Sequence, residues 1–541
     1  MSPAEDDDRP APGAAPAPGA SAPAAPAPAG ARTAVVVGGG LAGITAALRL
    51  AESGVAVTLV EGRPRLGGLA FSFRRGGLWV DNGQHVFLRC CTAYRGLVDR
   101  LGAGALVQLQ RRLDVPVLAI RERGEGSGET VLKLGRLRRS ALPVPLHLTG
   151  SLARYPHMSA ADRAATARAA LALRSLDLDD PALDERSFGD WLREHGQSPR
   201  AVAALWDLVG IATLNATADE TSLALAGMVF KTGLLTEPGA SDIGWARVPM
   251  GAIHHDAARA ALERAGVRVL LRTRATELTP AAPGADGGSA DPDGSRTHDH
   301  RYAQRRYGVL VEGERLPGGP TRIEADAVVL ATAQDVAARL LPAGALDDPG
   351  RLEKLGTAPI LNVHVRYDRP VLRRPFFAAL GSPVQWVFDR TAHAGLDDGG
   401  QYLALSQSAA RDEIELPVSE LRRRYLPELE RLLPAAREAR VTEFFVTRER
   451  TATFAPVPGS ARLRPAARTR SAGLCLAGAW TATGWPATME GAVRSGHAAA
   501  DEALTALGRG AEGQSGLRAW GPEDWGPGRW RAGRAETGGA A

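Results

Sequence analysis

The residues of this chain best placed to do chemistry fall in one short stretch. Gly38, Gly40 and Gly43 have a G-x-G-x-x-G spacing, with Leu41 and Ala42 between the last two, and a carboxylate, Glu61, ends the next apolar run. Each has a separate task. Gly38 permits a tight turn, Gly40 lets the backbone approach a pyrophosphate, and Gly43 lets a helix pack closely on a strand. Glu61 is suited to accept both hydroxyls of an adenosine ribose. Residues 71–80 read as a strand pair, which leads into a second group, Asp81-Asn82-Gly83-Gln84-His85, with a carboxylate and an imidazole.

The elements around these residues must position them. Residues 35–37 are a β-branched run, as expected of a buried parallel strand. Residues 44–53 have helical spacing and Gly54 closes them; 55–60 form the next strand. The helix start offers free N–H groups and partial positive charge to phosphates. A glycine motif between strand and helix, with an acid ending the following strand, is specific for an ADP-containing dinucleotide.

Beyond Glu61, the residues Gly62, Arg63, Gly67 and Gly68 extend the site into E-x-R-x-x-x-G-G, a second glycine turn. This arrangement resembles the GR2 flavoproteins: amine oxidases, protoporphyrinogen oxidase and carotenoid desaturases. The resemblance implies an α/β chain whose Rossmann-type domain holds FAD extended, beside a discontinuous α+β substrate domain.

At 541 residues the chain is too long for one ordinary core, and two domains are expected. Hydrophobic content of 44% with 23% charge is that of a soluble globular protein. The net charge of +5 rests almost wholly on Arg, and no basic tract interleaved with aromatics points to nucleic acid. Three cysteines form neither a disulfide framework nor a spaced metal motif, so no metal is expected and a reducing cytoplasm is. No apolar run is long enough to span a membrane, and no secretory signal pattern stands at the start.

Taken in order, residues 1–31 are a Pro/Ala-rich tail expected to be disordered. Residues 32–106, 247–340 and 456–508 are assigned to the FAD-binding domain, with a polar insertion at 281–306. Residues 107–246, read as mostly helical, and 341–455, with β alternation, are assigned to the substrate domain; 509–541 is a second tail. Ala275, in the returning α/β segment, is a further candidate cofactor contact. Near the end a strand runs into Gly478, and a helix is expected to start near Met489. In GR2 flavoproteins the N–H groups of that helix face the pyrimidine edge of the flavin, with Trp485, Met489 and Ala492 framing the ring.

Several blocks then agree on one family. VDNGQHVFL, ALWDLVGIATLN, PILNVHVRYDRPVL, TATFAPVPG and TGWPATMEGAVRSG together resemble the squalene-associated FAD-dependent desaturase-like proteins, the hydroxysqualene dehydroxylases of hopanoid biosynthesis. The resemblance implies reductive removal of a hydroxyl from hydroxysqualene, giving squalene; an oxidative carotenoid desaturase and, less readily, an amine oxidase are the alternatives. Such chemistry needs an acid for the departing hydroxyl, a dry cavity and fixed geometry to the flavin. His85 is the candidate acid, with a structural role bonded to backbone as the other reading. Asp81 is the alternative acid or the group that orients His85.

The chain departs from related flavoproteins at two points. Leu69 follows the glycine pair where Arg or Lys is common, and Ala479 stands where an Asp usually bonds the ribityl chain. Loss of that acceptor costs about 1–3 kcal/mol if nothing replaces it. Cys475 lies within a strand, so FAD is expected to be non-covalent. No second nucleotide motif follows a strand, so an external electron donor is expected. The cluster Arg136, Arg138 and Arg139 runs into an apolar, proline-stiffened segment, Leu142 to Leu148. One reading docks it on anionic lipid at the inner face of the cell membrane; the other packs it on the domain's own core.

Overall fold

The computed structural model describes residues 32–122, 130–280, 307–314, 316 and 319–509. The expected disordered tail at 1–31, the insertion at 281–306 and all but Arg509 of the final tail lie outside the described residues.

Five short strands, β1 (Thr33–Val37), β2 (Ala56–Val60), β3 (Arg268–Leu270), β4 (Ala327–Leu330) and β5 (Leu474–Leu476), form a parallel sheet in the order β3-β2-β1-β4-β5. Its strands are apolar on both faces because helices cover one side and the three-stranded sheet of Thr273–Pro280, Tyr307–Gly313 and Thr321–Ala325, with the helix Gln334–Leu340, covers the other. Helix α1 (Leu41–Glu52) and the last helix, α2 (Met489–Ala506), pack together on one face around Ile44, Leu48, Val493 and Ala500. The strand pair expected after the second glycine turn is present as Ser72–Arg75 and Leu78–Asp81.

The second large sheet has seven strands: Val441–Phe454, Thr357–Tyr367, Gln401–Ser408, Trp386–Asp389, Phe376–Leu380, Asp114–Glu122 and Thr130–Arg138, in that spatial order. The last two correct the mostly helical reading of 107–245. Val115, Val117 and Ala119 alternate inward, and the partner strand at 376–380 supplies the burial that single-sequence propensity does not see. Helices do dominate from Thr149 to Leu235.

Strand alternation gives this sheet two different faces. On one, Leu361, Val363, Leu403 and Leu405 pack against Leu421, Tyr425 and Leu429 of the helix Val418–Leu432. On the other, register places Glu449 beside Ile360, Thr447 beside Asn362, Asn362 beside Ser406, and Ser406 beside Trp386. This front face is polar at one end. At the other it is aromatic, where Phe376, Trp386 and Phe388 join Leu205, Leu208 and Trp245.

Candidate FAD and substrate site

The two glycine turns lie against each other. Gly38 has a left-handed φ of +108°, and a Cβ there would run into the Ala331 carbonyl oxygen. Gly40 is different: a Cβ would meet only the Gly68 Cα, at 3.7 Å. The gap in front of Gly40 is therefore open, bounded by the second turn, whose Gly67 N–H donates to the Gly39 carbonyl (2.9 Å). Gly40 is also the N-cap of α1 and has no side chain to satisfy the first-turn N–H groups of Leu41, Ala42 and Gly43. Glu61 is fixed at the end of β2, accepting from the Gly39 N–H (2.7 Å) and the Arg63 N–H (2.8 Å). Gly62 lies against Arg274, and the neighbouring Ala275 is buried on a strand tied to Glu61 by the Thr273 N–H (2.9 Å). An open cradle of uncapped N–H groups beside a ribose-type carboxylate fits the dinucleotide part of FAD.

The expected flavin end lies at the start of α2. Thr488 caps it, its Oγ1 accepting from the Gly491 N–H (3.1 Å). Gly478 adopts φ +147° and its N–H donates to Ser495 Oγ (2.8 Å). Trp485, Met489 and Ala492 are half-buried at this end, and the Arg494 guanidinium lies 4.8 Å from the Trp485 ring. Glu490, absent from the sequence-level candidates, is buried. It accepts the N–H groups of Ala93 (3.1 Å) and Tyr94 (2.7 Å) and pairs with Arg494 (2.7 Å). Burial pushes its pKa up, while Arg494 and the two N–H donors pull it back.

An arginine lies beside each departure from relatives. Near Leu69, the Arg65 guanidinium stacks 3.2 Å from the Phe71 ring and donates to the Gly68 carbonyl (3.1 Å). At Ala479, buried Arg464 braces the loop instead, donating to the carbonyls of Ala479 (3.2 Å), Trp480 (3.4 Å) and Thr481.

The D-N-G-Q-H segment divides into separate tasks. Asp81 is buried. Its Oδ2 accepts from Arg390 (2.6 Å), and its Oδ1 accepts from Ser72 Oγ (2.6 Å) and the Met250 N–H (3.0 Å). Among the described residues it makes no hydrogen bond to His85, so the expectation that it is the acid or orients His85 is corrected: its oxygens are committed to this buried cluster. Asn82 is a clamp. Its Nδ2 donates to the Leu69 carbonyl (2.6 Å) and to Glu449 Oε1 (3.1 Å), and its own carbonyl accepts from Asn362 Nδ2 (2.9 Å) and Thr447 Oγ1 (2.8 Å). The second glycine turn is thereby tied to the front face of the seven-stranded sheet.

His85 is half-buried. Its Nδ1 sits 3.0 Å from the Gly83 carbonyl oxygen, which only accepts, so Nδ1 carries the hydrogen. Burial lowers its pKa, opposed by the charge of Asp81. The ring is therefore neutral at neutral pH, and Nε2 presents a lone pair. That is an acceptor for a hydroxyl, not a proton donor. The structure thus ties Asn82 and Glu449 together at one edge of the glycine turns, with His85 on the same segment as Asn82 and Asp81 held in the buried cluster with Arg390.

Comparison with known proteins follows the same geometry. Residues 41–504 match the model of the flavin containing amine oxidoreductase family. A hydroxysqualene dehydroxylase of Rhodopseudomonas palustris is 31% identical over 455 residues, covering 83% of this chain and 93% of that protein. The chain belongs to the flavin-containing amine oxidoreductase family. Within it, the chain groups with the hydroxysqualene dehydroxylases. A 15-cis-phytoene desaturase of Narcissus pseudonarcissus is 26% identical over 470 residues, covering 83% of this chain and 75% of its own. Among solved structures, a putrescine oxidase double mutant superposes with a TM-score of 0.61 at 20% identity, covering 88% of this chain and 99% of that one. An oxidoreductase of Methanosarcina mazei gives 0.62 at 16% identity, covering 86% and 99%. As a member of this family the protein is an FAD-dependent oxidoreductase.

The arginines of the basic cluster are each ion-paired within the chain. Arg136 (2.6 Å) and Arg138 (3.6 Å) pair with Asp114, and Arg139 pairs with Asp242 (2.5 Å), whose side chain is 0% exposed. Leu142 and Leu146, each 50% exposed, do face outward, while Leu148 packs against the aromatic end of the front face. No helix among the described residues is long and apolar enough to cross a membrane.

Proposed function

We propose that the protein removes the hydroxyl of hydroxysqualene reductively, giving squalene, within squalene and hopanoid biosynthesis. The observation that carries this reading is the 31% identity to a hydroxysqualene dehydroxylase across nearly the whole of both chains. The front face agrees with such a substrate: half-buried Ile360, Trp386, Phe388 and Leu205 suit a long apolar chain, and a few polar groups gather at one end for its oxygen.

Glu61 and the first turn of α1 would hold the dinucleotide, and the start of α2 the pyrimidine edge, where a helix N-terminus favours negative charge. Reduced FAD, when bound, supplies the hydride. The protein's own residues bind and orient. His85 Nε2 accepts the hydrogen bond of the substrate hydroxyl, fixing its oxygen at the polar end. The aromatic end would shield the rest of the apolar chain from water while the allylic cation forms beside the polar groups as the C–O bond breaks. The oxygen leaves as water and so requires one proton, which a neutral His85 does not provide. An external donor restores the reduced cofactor. Leu142 and Leu146 would rest at the membrane surface, through apolar contact rather than through the three arginines.

The test is anaerobic mixing of the photoreduced protein with dispersed hydroxysqualene. One squalene per flavin, with return of the oxidised flavin spectrum, is expected. Bleaching of the oxidised protein by phytoene instead would favour the desaturase reading.

A further inference from the structure

We infer that Glu449 is the catalytic proton donor for the departing hydroxyl, an inference that rests on the reaction proposed above. It lies on the strand Val441–Phe454, on the front face, and reaches the glycine turns: its Oε1 accepts from Asn82 Nδ2 (3.1 Å), the same amide group that holds the Leu69 carbonyl (2.6 Å). Among the described residues it has no cationic partner. That is unusual in a chain so rich in arginine. Glu443, on the same face of the strand, pairs with Arg75 (3.0 Å), and Asp81 and Glu490 pair with Arg390 and Arg494.

Two arginines flank Glu449, but strand alternation turns both to the other face. Arg448 donates to the carbonyls of Ile414 (2.7 Å) and Leu416 (2.6 Å), and Arg450 pairs with Glu415 (2.6 Å). Glu449 is thus a half-buried carboxyl, held by one amide, beside Ile360 at the polar end of an otherwise apolar surface. An apolar chain laid over a carboxyl removes its water and favours the form that carries a proton.

The step balances. The Glu449 carboxyl gives its proton to the substrate hydroxyl, the C–O bond breaks with its electron pair on oxygen, and water leaves. The cation on carbon would be quenched by the hydride that reduced FAD, when bound, supplies with its two electrons, and the Glu449 carboxylate recovers a proton from solvent. His85 and Glu449 then share the oxygen: one accepts its hydrogen, the other supplies the second.

Glu449→Gln and Glu449→Asp separate this role from a structural one. Gln keeps an oxygen for Asn82 and is the closer isostere, so a purely structural Glu449 predicts that Gln outperforms Asp. The proton-donor role predicts the reverse: single-turnover rates on hydroxysqualene about 100-fold or more below wild type for Gln and about tenfold below for Asp. FAD content and hydroxysqualene affinity should be unchanged in both. Independently of turnover, infrared difference spectra of the oxidised protein on adding hydroxysqualene should show a protonated-carboxyl C=O stretch that Glu449→Gln abolishes. A Gln variant within threefold of wild type, a rate order with Gln above Asp, or a carboxyl stretch that is missing from wild type or survives in Gln would overturn the assignment. Wild-type protein that leaves hydroxysqualene unconverted contradicts the proposed reaction itself.

Discussion

The five-stranded sheet and the front face of the seven-stranded sheet offer their proposed ligands opposite means of recognition. In the first, main chain does the work: open space at Gly40, uncapped N–H groups of α1, and a single carboxylate already fixed by two backbone donors. In the second, side chains do it: His85, Asn82, Asn362, Thr447 and Glu449 are brought together from three separate segments. A main-chain site fails when an atom is added; a side-chain site fails when a functional group is changed and its shape kept.

The largest effect expected from that contrast is at the glycines. Gly40→Val fills the cradle with a Cβ that makes only ordinary contact with the Gly68 Cα, so it should fold with wild-type circular dichroism yet lose FAD, with affinity reduced more than about 100-fold. The variant should also lack the rise in melting temperature that added FAD gives wild type. Gly38→Ala instead drives a Cβ into the Ala331 carbonyl at φ +108° and should fail to accumulate as folded protein. If the two behave alike, the distinction between cradle and scaffold is wrong.

Behind the side-chain site, Arg390→Met leaves Asp81 buried without its cation. Urea unfolding should show a loss of about 3–5 kcal/mol. Adding Asp81→Asn should recover part of that loss, because the uncompensated charge is gone. A single variant within 1 kcal/mol of wild type would place the pair outside the core (about one tenfold step is 1.4 kcal/mol).

Two buried histidines, His364 on the front face and His254 beside the second glycine turn, also carry a pH signature. His254 and His364 are buried neutral, with pKa values pushed down to about 4 and about 3, chiefly by burial. Folded values below the unfolded one mean that the unfolded chain binds extra protons as pH falls below about 6.5. Stability from these two should be fully present above that pH. It should fall by up to about 2.7 kcal/mol per pH unit toward pH 4. His364→Gln should lower the slope of urea stability against pH; an unchanged slope would show that His364 does not contribute.

The smallest effect is expected at the surface. Leu142→Asp with Leu146→Asp should reduce flotation on anionic vesicles several-fold and leave FAD content intact. Arg138→Glu should have little effect, since that arginine already faces Asp114. The reverse outcome would restore the electrostatic docking expected from the sequence.

These contrasts also explain what was legible. The glycines, Glu61, the strand pair after the second turn and the start of α2 follow from local rules of turn, helix start and strand period, so a short window reveals them. Glu449 and Arg464 do not. Glu449 sits in an ordinary alternating run, R-E-R-T-A-T-F, and becomes distinct only when Asn82 arrives from 367 residues away. Arg464 serves Ala479 across a loop, and strands Asp114–Glu122 and Thr130–Arg138 exist because distant strands complete their sheet. His85 was visible as a residue, but its protonation state was not, since that depends on burial and on the Gly83 carbonyl.

The reductive direction is the central claim, and isotope transfer tests it most directly. Photoreduced protein equilibrated in D2O carries exchangeable deuterium at the flavin position that delivers hydride. A single anaerobic turnover of hydroxysqualene should then yield squalene with one deuterium, at the carbon that bore the hydroxyl. Unlabelled squalene, or no squalene while phytoene is desaturated by the oxidised protein, would contradict the account.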